Sequence, residues 1–128
     1  MNTINVSKLA QLIEARANCI QSNNTEWLSK HTDRITEICK NLPSGSGIDS
    51  GMKLDMEQSK RDKLVFTFDY HFMNSDGYYD GWGSYTLIIR PSFNGLDMLI
   101  KGKNRDDIKE YFYQMFDSIF IVDREHVY

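Results

Sequence analysis

Asp69, His71, Asp76 and Asp80, spread over the segment DYHFMNSDGYYDGW, bring together side-chain types that bind metals or move protons. Asp69 and His71 are two residues apart, which in a strand places them on one face. Asp76 and Asp80 come from a turn-rich connection that can fold back over that face. Such a set suits a small metal-dependent hydrolase or a ligand-binding domain. A calcium loop of the EF-hand type is excluded, because counting Gly77 as its sixth position puts Phe72 at the first and Gly83 at the twelfth, where carboxylates are required. The plainer reading, which we prefer, is a solvated hairpin turned by its Asn, Asp and Gly residues.

Tyr78, Tyr79, Trp82 and Tyr85 crowd the same hairpin, with Asp80 among them. Exposed Tyr and Trp anchor protein interfaces, since they combine a large apolar ring with a polar tip and little rotamer freedom. Adjacent Tyr78 and Tyr79 cannot both point inward from an extended chain. Such residues also cap the core of their own hairpin, and the two readings are nearly balanced; if a contact surface exists, these five residues are the expected one.

Other motifs carry less. GSGIDSG suggests a phosphate cradle, but it follows a helical pattern and leads into a strand, without the Gly-Lys-Ser/Thr of a P-loop or a preceding strand. Cys19 and Cys39 lie in helical patterns with apolar neighbours and read as free thiols. His31 reads as a partly buried core residue, and no GxSxG elbow occurs. No catalytic set and no cofactor are implied. Lys101, Lys103, Arg105 and Lys109 alternate with Asp106, Asp107 and Glu110, which cancels most of their field and argues against nucleic-acid binding.

The elements that must hold these residues follow from apolar periodicity. Val6, Leu9, Ala10, Ile13, Ala17 and Ile20 recur at helical steps, predicting a helix over 7–21. Asn24 or Thr25 caps a second helix whose inward stripe is Trp27, Leu28, His31, Ile35 and Ile38, antiparallel to the first. Pro43 ends it. Residues 43–52 form a Gly- and Ser-rich connector, and Leu54 and Met56 alternate with polar residues in a short first strand. Leu64, Phe66, Phe68, Tyr70 and Phe72 line one face of the second strand and demand a covering layer. Tyr85, Leu87 and Ile89 alternate in the third strand up to Pro91. Phe93, Asn94 and Gly95 turn the chain into a fourth, with Leu96, Met98 and Ile100 on one face. A last helix over 104–123 starts at an Asn104 cap and carries the stripe Ile108, Phe112, Met115, Ile119 and Val122. Tyr111, Phe116 and Phe120 widen that stripe, which makes a homodimer plausible.

The order ααββββα predicts an α+β fold in one domain: a helical hairpin over 1–42, a four-stranded antiparallel meander over 53–102 and a closing helix. A chain of 128 residues buries a core without disulfides or metals. Eighteen acidic against fifteen basic residues leave a charge of −3, too small to mark a nucleic-acid footprint. No signal-peptide pattern and no apolar run long enough for a membrane span occur, so a cytoplasmic protein without membrane contact is expected.

The segments ARANCIQSNNTEWLSKH, LPSGSGIDSGMKLD, DGYYDGW, LIIRPSF and KGKNRDDIKEYF resemble a group of small proteins of no known activity encoded by bacteriophages and related mobile elements. The resemblance spans nearly the whole chain. It implies an accessory protein in a bacterial cytoplasm that works by binding a host or phage protein, in modulation of a host process or defence. It implies no catalytic residue.

Overall fold

The computed structural model describes residues 3–45, 47–73, 75–92, 95–102 and 105–122. Asn5 and Asn24 open the first two helices, each accepting a hydrogen bond from an otherwise unpartnered first-turn amide: Asn5 Oδ1 from Lys8 at 3.1 Å, Asn24 Oδ1 from Trp27 at 3.3 Å. Helix α1 spans Val6–Gln21 and α2 spans Thr25–Cys39. Asn23 turns the chain between them at φ 59°, a conformation Asn tolerates. Arg16 donates to Thr32 across the pair, and Lys8 and Leu12 share a cleft with Arg34 and Ile38, so the helices run antiparallel as expected.

α1 buries Val6, Leu9, Ala10, Leu12, Ile13 and Cys19, whereas α2 fully buries only Ile35. The expected inward stripe of α2 is corrected at Trp27, which is 48% exposed and carries the Lys30 ammonium over its ring at 4.5 Å. Ile20 and Ala17 are also exposed. α2 has a narrow buried seam, and Ala17, Ile20 and Trp27, which flank the turn between the two helices, fall beyond it.

Strands β2 (Ile48–Leu54), β3 (Leu64–Met73), β4 (Tyr79–Ser92) and β5 (Gly95–Gly102) form one antiparallel sheet in sequence order. The first of these starts inside the expected connector. Ser50 at φ 59° and Gly51 at φ 77° insert extra residues, so that Asp49 pairs with Asp69 but Lys53 with Thr67. That bulge breaks the two-residue period by which a strand is recognised. Met56, expected in the strand, lies past it, in a turn where Asp55 Oδ1 accepts from the amides of Glu57 and Gln58, each at 3.1 Å.

Leu64, Phe66, Phe68 and Phe72 are buried, with Tyr70 packed against the same cluster, together with Tyr85, Leu87, Ile89 and Ile100. The covering layer is α3, Asp106–Ile119. Its Phe112 meets the rings of Phe68 at 4.9 Å and Tyr70 at 5.0 Å edge-on, and Phe116 meets Phe68 at 5.7 Å. One hydrophobic cluster joins these residues to α1 and to Ile35. The wider stripe of the last helix is therefore mostly used: Phe116 and Phe120 are buried, and Tyr111 stays exposed.

That helix is shorter than expected. At Phe120 the chain becomes extended, and β6 (Phe120–Ile121) pairs parallel with β1 (Ile4–Asn5), Ile4 opposite Phe120. Val122 thus lies beyond the helix rather than on its stripe. The run Ile119, Phe120, Ile121 and Val122 consists of residues that favour extended chain. The expected turn residues Phe93 and Asn94 and the expected cap Asn104 lie outside the described residues.

Pro91 inside β4 has a geometric explanation. The Val65 amide turns away from β4 to donate to Ser59 Oγ at 2.9 Å, and the Ile100 amide turns away from β4 to Tyr113 at 3.0 Å. Alternation along the ladder then aims the backbone groups of Leu87, Ile89 and Pro91 toward the β3 side. The β3–β4 pairing ends with Leu64 opposite Ile89, so Pro91 loses no ladder bond.

Candidate functional site

The face of the sheet turned away from α3 carries the residues singled out in the sequence. Thr67, Asp69, His71 and Met73 alternate on β3 with the core residues, which places Asp69 and His71 on one face as expected. Asp49, from β2, stands opposite Asp69, and Ser84, from β4, stands opposite it on the other side. His71 Nδ1 is 2.8 Å from Asp49 Oδ1, and Ser84 Oγ donates to Asp69 Oδ1 at 2.7 Å. A shallow pocket of about 210 Å³ opens here, lined by Asp49, Ser50, Thr67, Asp69, Ser84 and Thr86 among others.

An imidazole held at Nδ1 by a carboxylate is oriented as in a general-base dyad. Chemistry would further require a nucleophile at Nε2, and the Ser84 hydroxyl, on the neighbouring strand opposite Asp69, donates to Asp69 instead. Among the described residues no three His, Cys, Asp or Glu side chains converge in a metal-binding group. Asp69, His71, Asp76 and Asp80 are thus not gathered: Asp69 goes to Ser84, His71 to Asp49, and the Asp80 charge acts on Arg105. Arg105 itself hydrogen-bonds Asp107 at 3.3 and 3.2 Å, which holds the Asp107 carboxyl below its ordinary range and raises the guanidinium further.

The aromatic set divides. Tyr78, Tyr79 and Trp82 are exposed, but Tyr85 is 1% exposed, stacked on Phe68 at 5.6 Å and edge-on to Phe112 at 5.2 Å. The expectation of Tyr85 at a contact surface is corrected. Its alternation with Leu87 and Ile89 was the signal that assigns it to the core.

Tyr79 and Trp82, three apart, belong on opposite faces of a regular strand. Here His71 pairs with Trp82 and Met73 with Tyr79, two steps along β3 against three along β4. Gly81, at φ 96°, sits in the extra step. The bulge restores Tyr79 and Trp82 to one face, opposite Met73 and His71. Met73, Tyr79 and Trp82 are 55%, 64% and 58% exposed. The sequence pattern does not single out Asp49, which lies in the expected connector, or Met73, which shares the outer face of the strand with Asp69 and His71.

No family model, no curated protein and no solved structure matches the chain. Among the described residues, no helix is long and apolar enough to cross a membrane.

Proposed function

We propose that this protein acts without catalysis, by binding a protein partner through the outer face of the β3–β4 hairpin. The observation that supports it is the bulge at Gly81, which brings Tyr79 and Trp82 onto one exposed face with Met73 and His71. A flexible thioether beside rigid amphipathic rings makes an adaptable apolar centre, and Asp49 and Asp69 make an acidic rim, whereas Asp80 lies toward Arg105 on the other face. A partner with an apolar spot flanked by Arg or Lys complements it. The resemblance to phage-encoded proteins adds a setting, a host or phage protein in a bacterial cytoplasm whose process or defence is modulated.

Affinity purification from phage-infected cells tests this. Tyr79→Ala and Trp82→Ala, both at exposed positions, leave the fold intact within about 0.5 kcal/mol and cut partner affinity about thirtyfold, the weight of a typical interface anchor. Equal recovery of the partner by both variants overturns the reading.

A further inference from the structure

The two edges of the sheet are treated differently. Along β2 the preceding chain folds back, with the Met52 amide donating to the Pro43 carbonyl at 3.0 Å and Gly45 bridging to Ile48. Along β5 the single side-chain cap among the described residues is the one from Tyr113 to Ile100. The regular β4–β5 register and the outward turn of the Ile100 amide also aim the backbone groups of Leu96 and Met98 away from β4. Nothing in the described structure receives them. Beside them runs an open groove of about 370 Å³ between the strand and α3, lined by Leu96, Met98, Tyr113, Gln114 and Asp117.

We propose that this groove takes one added strand: an extended peptide segment that hydrogen-bonds to the β5 edge at Leu96 and Met98. Unpaired backbone donors and acceptors in a row recognise an extended main chain and nothing else as well. Side chains on the α3-facing side of the segment meet the apolar floor of Leu96 and Met98 and the exposed Asp117 carboxylate, which has no ion-pair partner among the described residues. The occupant is therefore a segment that places an apolar residue and a Lys or Arg two apart on that side. Tyr113 marks where the site ends, because at Ile100 the helix already occupies the edge. A second copy of the chain fits poorly. Its own α3 flanks its β5 as closely, so two such edges bring two helices into one groove. This surface is separate from the hairpin face, and its test does not depend on the Tyr79 and Trp82 variants.

The probe is the capped hexapeptide acetyl-Thr-Val-Thr-Lys-Thr-Val-amide, titrated into isotope-labelled protein and followed by amide shifts and exchange. Saturable shifts at Leu96 and Met98 with slowed exchange of their amides are expected. Two isomers of the peptide, N-methylated on the Thr set or on the Val/Lys set, separate main-chain from side-chain recognition. One of them loses at least about tenfold in affinity while the other binds as before, since only one set faces the edge. Asp117→Asn weakens the unmodified peptide about threefold, as an exposed ion pair does. Equal binding by both isomers, shifts confined to other surfaces, or no saturable binding overturns the proposal. So does dimerisation of the free protein with Met98 protected, which would make a second copy the occupant.

Discussion

The backbone amide of Ile100 donates a hydrogen bond to the phenolic oxygen of Tyr113 at 3.0 Å, so a side chain of the closing helix caps the amide of an edge strand. Tyr113→Phe leaves that half-buried donor without its acceptor. A loss of about 1–2 kcal/mol is expected in urea unfolding, with an unchanged denaturant slope and faster exchange of the Ile100 amide. Wild-type stability in this variant would show that the bond contributes nothing net.

The bulge makes its own prediction. Gly81 holds φ 96°, and a Cβ built on it meets no heavy atom within 4 Å, so Gly81→Ala is penalised through the backbone alone, by about 1–2 kcal/mol. Gly77, at φ 84° with equally open space, is the matched control outside the bulge. Both variants lower Tm, whereas only Gly81→Ala alters Trp82 fluorescence and partner affinity. Identical fluorescence in the two would separate the bulge from the contact face.

Tyr85 Oη is buried with no hydrogen-bond partner among the described residues. Tyr85→Phe removes a desolvated hydroxyl while keeping the ring on Phe68 and Phe112, so stability stays equal or rises by up to about 1 kcal/mol. A drop beyond that, measured by the urea midpoint, would mean that the hydroxyl is satisfied.

Burial lifts the Cys39 thiol from 9.0 to about 11. Between these values the unfolded chain releases the proton and the folded chain keeps it. The contribution is therefore fully present below pH 9 and disappears as pH rises to about 11. Wild-type stability should fall more steeply over that window than that of Cys39→Ala. At pH 8 Cys39 should react with a disulfide reagent more slowly than free cysteine; equal rates would contradict its burial.

Much of the architecture was legible along the chain. Leu64 to Phe72 alternate without interruption because one face of β3 is core, and Asn24 marks a helix start because its short side chain reaches a free amide. The errors fall where periodicity stops reporting burial. Trp27 has the right spacing for an inward stripe, but α2 lies on the outside and its seam is too narrow to cover the ring. Tyr85 is both in phase with Leu87 and close in sequence to Trp82, and only the phase reports its burial. At the candidate site, the alternation placed Asp69 and His71 on one face, while their partners Asp49 and Ser84 come from strands 20 and 15 residues away from Asp69.

The sequence by itself determined the helices, the strands with one apolar face, and hence the α+β class with its antiparallel sheet, because each of these depends on which residues within one element seek the core. The tertiary structure alone decided the pairing of Phe120 with Ile4, the bulges at Ser50–Gly51 and Gly81, the open groove at β5, and the face shared by Tyr79 and Trp82. These depend on register between segments and on positive φ at single residues, neither of which leaves a period in the chain.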